Sequence, residues 1–168
     1  MPSPHDALFR FTFGQAEHAR SLLRWLLPAP LSQAIDWVGL QAVSESTTDT
    51  GLRQHHGDIL HQAALLSGPA SPVFFLLEHK SGPDDDLVPQ VTRYIVHIER
   101  QWQRYATSVP FVVPVVVHHG NSPLLDPVWG SVGDEDSEVI RILKSYWPRL
   151  RLVALDLLTF AEQDLLRL

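Results

Sequence analysis

The run Phe111–His118, FVVPVVVH, leaves a chain of this kind few options. Five of its eight residues are valine, which is stiff at χ1 and suits a pleated surface better than a helix. No polar residue alternates with the apolar ones, so neither face of the strand can be turned to water. The run is predicted to be a strand buried on both faces, in a sheet that needs helices on each side. Val73–Lys80, VFFLLEHK, reads the same way for its first five residues.

The rest of the chain supplies that cover. Asp6–Gly14 and Ala16–Leu27 carry apolar residues at helical spacing, the second stopped by Pro28 and Pro30. Trp37–Val43 reads as a strand, followed by the polar loop SESTTDTG. Gly57–Leu66 and Val73–Lys80 read as two strands joined by SGPASP. Ala63 to Leu66 would also suit a helix, and the short length of the segment decides for strand. Leu87–Thr107 is the longest helical pattern, with Val91, Tyr94, Ile95, Ile98, Trp102 and Tyr105 recurring at steps of three and four. Ser137–Tyr146 follows as a helix, Leu150–Asp156 as a strand and Phe160–Leu168 as a terminal helix. The pattern predicts an α/β fold, a mixed central sheet flanked by helices, in one domain over residues 1–168.

Composition narrows the function. The chain has no cysteine, which excludes disulfides and thiolate zinc sites and accords with the cytoplasm. No apolar run approaches the ~18 residues of a membrane helix, and the first residues show no signal-peptide pattern. The formal net charge of −6 speaks against a protein that coats nucleic acid non-specifically. A local basic surface remains available, because Arg93, Arg100 and Arg104 fall near one face of the long helix.

The end of VFFLLEHKSG is where chemistry is expected. Side chains alternate along a strand, so Glu78 and Lys80 project from one face, ~6.6 Å apart along the backbone, and His79 from the other. Antiparallel pairing of 57–66 with 73–80 brings Asp58 opposite the Glu78–Lys80 end. Two carboxylates can then share a hard cation such as Mg²⁺, while the amine orients a water. Gln90 and Tyr94, four apart on the next helix, can lie across this group.

Plainer readings exist for each feature. Glu78 and Lys80 alone would be a solvent-exposed ion pair, worth roughly 0–1 kcal/mol. Asp6 suits an N-cap of the first helix, and Asp84-Asp85-Asp86 a solvated helix start. Zinc on the histidines His55, His56, His61, His118 and His119 has little support: adjacent residues on a strand face opposite ways, and no HExxH occurs. Neither a serine-hydrolase arrangement nor a Gly-rich phosphate loop is present.

Asp58, Glu78-His79-Lys80 and Gln90 with Tyr94 resemble the PD-(D/E)XK nuclease superfamily with its QxxxY helix motif. More closely, HDALFRFTF, HHGDIL, FFLLEHKS, TRYIVHIE and VPVVVHHG are similar to the recombination-promoting nuclease and putative transposase family, also called YhgA-like. The resemblance spans about residues 5 to 158. It implies a restriction-endonuclease-like αβββαβ core and metal-dependent DNA cleavage, possible promotion of recombination included. Asp58 and Glu78 would then ligate Mg²⁺ (or Mn²⁺ or Ca²⁺), Lys80 would be the catalytic lysine, and Gln90, Tyr94 and Arg93 would serve the site or the DNA. Asp6 would approach the site from the first helix. Gly57 replaces the motif's proline, and Lys80 stands where members often have glutamine. The chain also stops where many relatives continue. The alternative is therefore an inactive, shortened relative acting as a dimerising or regulatory module. A transposase proper lacks a visible DNA-recognition domain. A homodimer is the expected assembly, since cutting both strands takes two sites.

Overall fold

The computed structural model describes residues 4–43, 58–68, 71–82, 84, 86–104, 106, 108–121, 124, 128–129, 139, 142 and 150–159. In chain order the elements are α1 (Pro4–Phe13), α2 (Ala16–Leu26), α3 (Ala29–Ala34), β1 (Gln41–Ala42), β2 (Ile59–Ala63), β3 (Val73–Lys80), α4 (Leu87–Trp102), β4 (Phe111–His118), β5 (Val128–Trp129), β6 (Leu150–Arg151) and β7 (Val153–Asp156). A 3₁₀ turn, Leu157–Thr159, follows β7.

Five strands form one mixed sheet in the order β1-β2-β3-β4-β7, and β5 pairs with β6 separately. β1–β2 and β2–β3 are antiparallel, whereas β3–β4 and β4–β7 are parallel. The two most apolar strands are thus the inner ones, as burial on both faces requires. Pro114 is tolerated in β4 because the ladder to β7 begins only at Val115, so the proline has a neighbouring strand on one side.

Alternation along β3 divides the core. Val73, Phe75 and Leu77 face Phe9 of α1, Leu22 and Leu23 of α2, and Ile35. Leu76 faces the other way, onto Leu87, Val91 and Tyr94 of α4. The same alternation, continued past Leu77, sends Glu78 and Lys80 under α4 and His79 under α1.

Several boundaries differ from the expectation for identifiable reasons. The strand expected at 37–43 shrinks to Gln41–Ala42. Asp36 Oδ1 accepts the Val38 and Gly39 amides at 3.1 and 3.2 Å, a side-chain turn that competes with the ladder. Trp37 instead donates to Ser32 O at 2.7 Å and stacks on Phe75. Pro28 and Pro30, expected only to stop α2, also start α3, since proline suits the first turn of a helix. The first helix begins at Pro4, so Asp6 lies in its first turn and is not the cap. The helix ends at Phe13, and at the following Gly14 a Cβ would come within 2.5 Å of Arg10 O. β2 keeps Ile59–Ala63 of the expected 57–66, and α4 ends at Trp102. The expected helix at 137–146 lies outside the described residues apart from Val139 and Ile142, and the one at 160–168 lies wholly outside them.

One polar group is sunk in the larger core. His61, on β2, is fully buried, with Nε2 2.7 Å from Phe13 O. Burial lowers its pKa below 6.5, outweighing the backbone carbonyls of Phe13 and Gln41. The depressed value makes the neutral ring the folded form, so its stability contribution is complete above pH ~6.5 and is lost as pH falls below it. The melting temperature should drop between pH 7 and pH 5, and His61→Gln should flatten that slope. His119, also depressed, contributes to the slope that remains.

Candidate active site

Glu78 sits at the end of β3 with only 5% of its surface exposed. A carboxylate so buried must be paired. Its Oε1 takes Lys80 Nζ at 2.8 Å and Gln90 Nε2 at 3.1 Å. Lys80 Nζ also donates to Gln90 Oε1 at 3.0 Å, so the amide bridges acid and base with both of its ends. Lys80 meets a second carboxylate, Asp84 Oδ2, at 2.6 Å. The segment Asp84-Asp85-Asp86, read from sequence as solvated charge, therefore sends Asp84 into the cluster. Asp85 lies outside the described residues.

The electrostatics make Lys80 a firm cation. Burial alone would lower its pKa, but hydrogen bonds and charge from Asp84 and Glu78 outweigh it and raise the value above 10.5. At neutral pH the amine has no lone pair to accept a proton, so it can act only as a donor and a positive charge. Tyr94, buried on α4 one turn past Gln90, has its hydroxyl pushed well up by burial and then by the Glu78 charge. It is a neutral phenol lying beside the carboxylate.

Asp58 approaches from β2. The antiparallel register pairs Ile59 with Leu77, and one further step sets Asp58 opposite Glu78. Both of its carboxylate oxygens are buried, and among the described residues neither has a hydrogen-bond partner. Such orphaned acceptors are rare and costly without a cation or water to satisfy them. Among the described residues no three His, Cys, Asp or Glu side chains gather in a metal-holding group. A hard, heavily hydrated cation such as Mg²⁺ commonly takes one or two carboxylates and completes its shell with water and phosphate, so Asp58 and Glu78 would suffice as its protein ligands.

Two residues singled out from sequence stand apart. Asp6 Oδ1 lies 2.7 Å from His79 Nδ1, on the opposite face of β3 from Lys80. Arg93 is exposed and pairs with Asp86 at 2.9 Å. The adjacent histidines part as strand alternation requires. His118, 1% exposed, meets Asp156 at 3.1 Å, while His119 joins His5 and His79 with ring centroids 4.4 and 5.0 Å away. Asp156 also accepts the Leu124 and Leu158 amides, tying the loops after β4 and β7 to the strand ends. Sequence reasoning passed over this brace; its signal was the His-His-Gly after a β-branched run. Gly120 is required there, since a Cβ would come within 2.5 Å of His118 Nε2. His55 and His56 lie outside the described residues.

The fold and the cluster define a mixed α/β protein with acidic, basic and amide groups joined at a central strand end. The chain matches the family described as "Putative transposase, YhgA-like" over residues 3–165, and it belongs to that family. It is 32% identical over 119 residues to recombination-promoting nuclease RpnA of Escherichia coli (strain K12), covering 70% of this chain and 40% of the relative. Recombination-promoting nuclease RpnC of the same strain is 30% identical over 121 residues, 71% of this chain and 40% of the relative. Inactive recombination-promoting nuclease-like protein RpnE, also of that strain, is 28% identical over 121 residues, with the same shares. The chain thus spans about 40% of the length of these curated relatives. No solved structure matches it.

Gln90→Leu should strip Glu78 and Lys80 of a shared partner while keeping most of the volume. Urea unfolding should show a loss of about 1–3 kcal/mol, the cost of leaving buried polar groups unsatisfied.

Proposed function

We propose that this protein is a metal-dependent DNA endonuclease built on a restriction-endonuclease-like core. The observation that carries the reading is the buried Asp58 carboxylate, without a partner among the described residues and set by the strand register opposite Glu78. The element order, helix then β1-β2-β3-α4-β4, supports the αβββαβ assignment. The nuclease names of RpnA and RpnC supply the substrate class.

Asp58 and Glu78 would hold Mg²⁺ (or Mn²⁺ or Ca²⁺), which when bound supplies Lewis acidity and offsets charge building on the phosphate. Lys80, a fixed ammonium, donates to the attacking water or to a phosphate oxygen and does not remove a proton. Gln90 keeps Lys80 and Glu78 in register with one another, and Tyr94 shields the carboxylate from bulk water. Arg93, exposed on α4, can meet the DNA backbone once it leaves Asp86. Hydrolysis joins the water oxygen to phosphorus and breaks one P–O ester bond, leaving a phosphate monoester and a free hydroxyl. A homodimer would supply a second site for the second strand, and the reading places the protein in the cytoplasm with its substrate. Among the described residues no helix is long and apolar enough to cross a membrane.

The relative named inactive gives weight to a second reading, a non-catalytic module of the same fold. Purified protein with Mg²⁺ should nick plasmid DNA, and chelation should abolish it. Asp58→Ala and Lys80→Ala should each lower the rate by about 10²-fold or more. Equal cutting by all three proteins would exclude this site, whereas no cutting together with no calorimetric Mg²⁺ or Mn²⁺ binding would favour the module.

A further inference from the structure

Lys80 is held by oxygens from three elements, and Asp84 makes the shortest of these contacts. Glu78 of β3 lies 2.8 Å away, Asp84 of the connection to α4 2.6 Å, and Gln90 of α4 3.0 Å. An ammonium has three N–H donors, so each donor has its own acceptor. Asp84 is itself fixed: its Oδ1 accepts the Asp86 amide at 2.9 Å, an Asx-type turn that leaves Oδ2 for Lys80. Burial pushes the Asp84 carboxyl up, but Lys80 and the Asp86 amide outweigh it and hold it below the ordinary carboxylate range.

Glu78 Oε1 serves both Lys80 and Gln90. A divalent cation that takes Glu78 removes one acceptor from Lys80 and places like charge beside it. Lysine carries its charge on a flexible four-carbon stem, and with no other ionic anchor it would swing out to solvent. We propose that Asp84 is a positioning residue that anchors the Lys80 ammonium over the strand end while Glu78 is given up to a divalent cation. The N–H released from Glu78 then faces the reacting water or phosphate. The inference rests on the metal-dependent reading of the site. Gln90 alone could not do this, because a neutral amide offers no opposing charge.

The sequence contains two lysines, Lys80 and Lys144, so lysine-selective ¹⁵N labelling yields two side-chain ammonium groups to follow. The signal missing from Lys80→Gln identifies the first. In the wild type the Lys80 Nζ–H protons should exchange slowly with water, with and without Mg²⁺. Asp84→Asn should speed that exchange by about tenfold or more, as expected for one charge-assisted bond lost. Asp86→Asn removes the same charge two residues away and should leave the Lys80 exchange within about twofold of the wild type. In plasmid cleavage Asp84→Asn should lower kcat with little change in KM for DNA, and Asp84→Glu should restore part of the rate. Unchanged Lys80 exchange in Asp84→Asn, or an equal change in Asp86→Asn, overturns the proposal. Faster exchange in Asp84→Asn, in a protein that neither binds Mg²⁺ nor cuts DNA, keeps the anchor and overturns the nuclease reading instead.

Discussion

β3 is covered on both faces as far as Leu77 and must then end in charge. Each large apolar side chain along it contributes roughly 1.5–3 kcal/mol by leaving water, and the sum depends on α1 and α2 closing one face and α4 the other. That cover does not stop where the apolar residues do. It runs on over Glu78, whose carboxylate would be costly to bury alone. The helix that imposes the burial also relieves it, because α4 brings Val91 and Tyr94 to the core and Gln90 to the acid in successive turns. Position of the helix and integrity of the polar cluster are therefore one constraint.

Against that background Asp58 is the exception. Glu78, Lys80, Gln90 and Asp84 satisfy one another, and His118 and Asp156 do the same across β4 and β7. Among the described residues, Asp58 alone of the strand-end acids keeps two buried oxygens without a partner. A chain selected for stability alone would gain by replacing it with an apolar residue. Persistent unsatisfied polar groups are a recurrent mark of sites that complete themselves with something from outside.

What sequence could and could not foretell follows from the range of the forces involved. Strand alternation fixed the faces of Glu78, His79 and Lys80, and a hairpin needs only its turn for Asp58 to come level with Glu78. Both are local geometry. The four-residue spacing of Gln90 and Tyr94 put them on one side of α4 for the same reason. Asp84 reads as solvated from sequence because a run of three aspartates before a helix looks alike whether its side chains face water or a lysine. Only the path of the connection between β3 and α4 decides. The loss of most of β1 to the Asp36 turn, and the start of α3 just after Pro28, were side-chain and backbone competitions that periodicity does not weigh.

Charge bears on the proposed cation as well. Asp58, Glu78 and Asp84, if ionised, carry three negative charges against the single positive charge of Lys80, an excess of two. The chain as a whole stands at −6, so no distant surplus of arginine offsets it. Brought to this strand end unaided, a phosphodiester would meet net repulsion, strengthened by the low dielectric that burial creates. The Lys80 charge is already counted in that excess. One divalent ion would balance the excess and satisfy Asp58 in the same act. Under the proposed reading the acids would hold the cation that admits the substrate, and the lysine, anchored from the side, would be left to orient it.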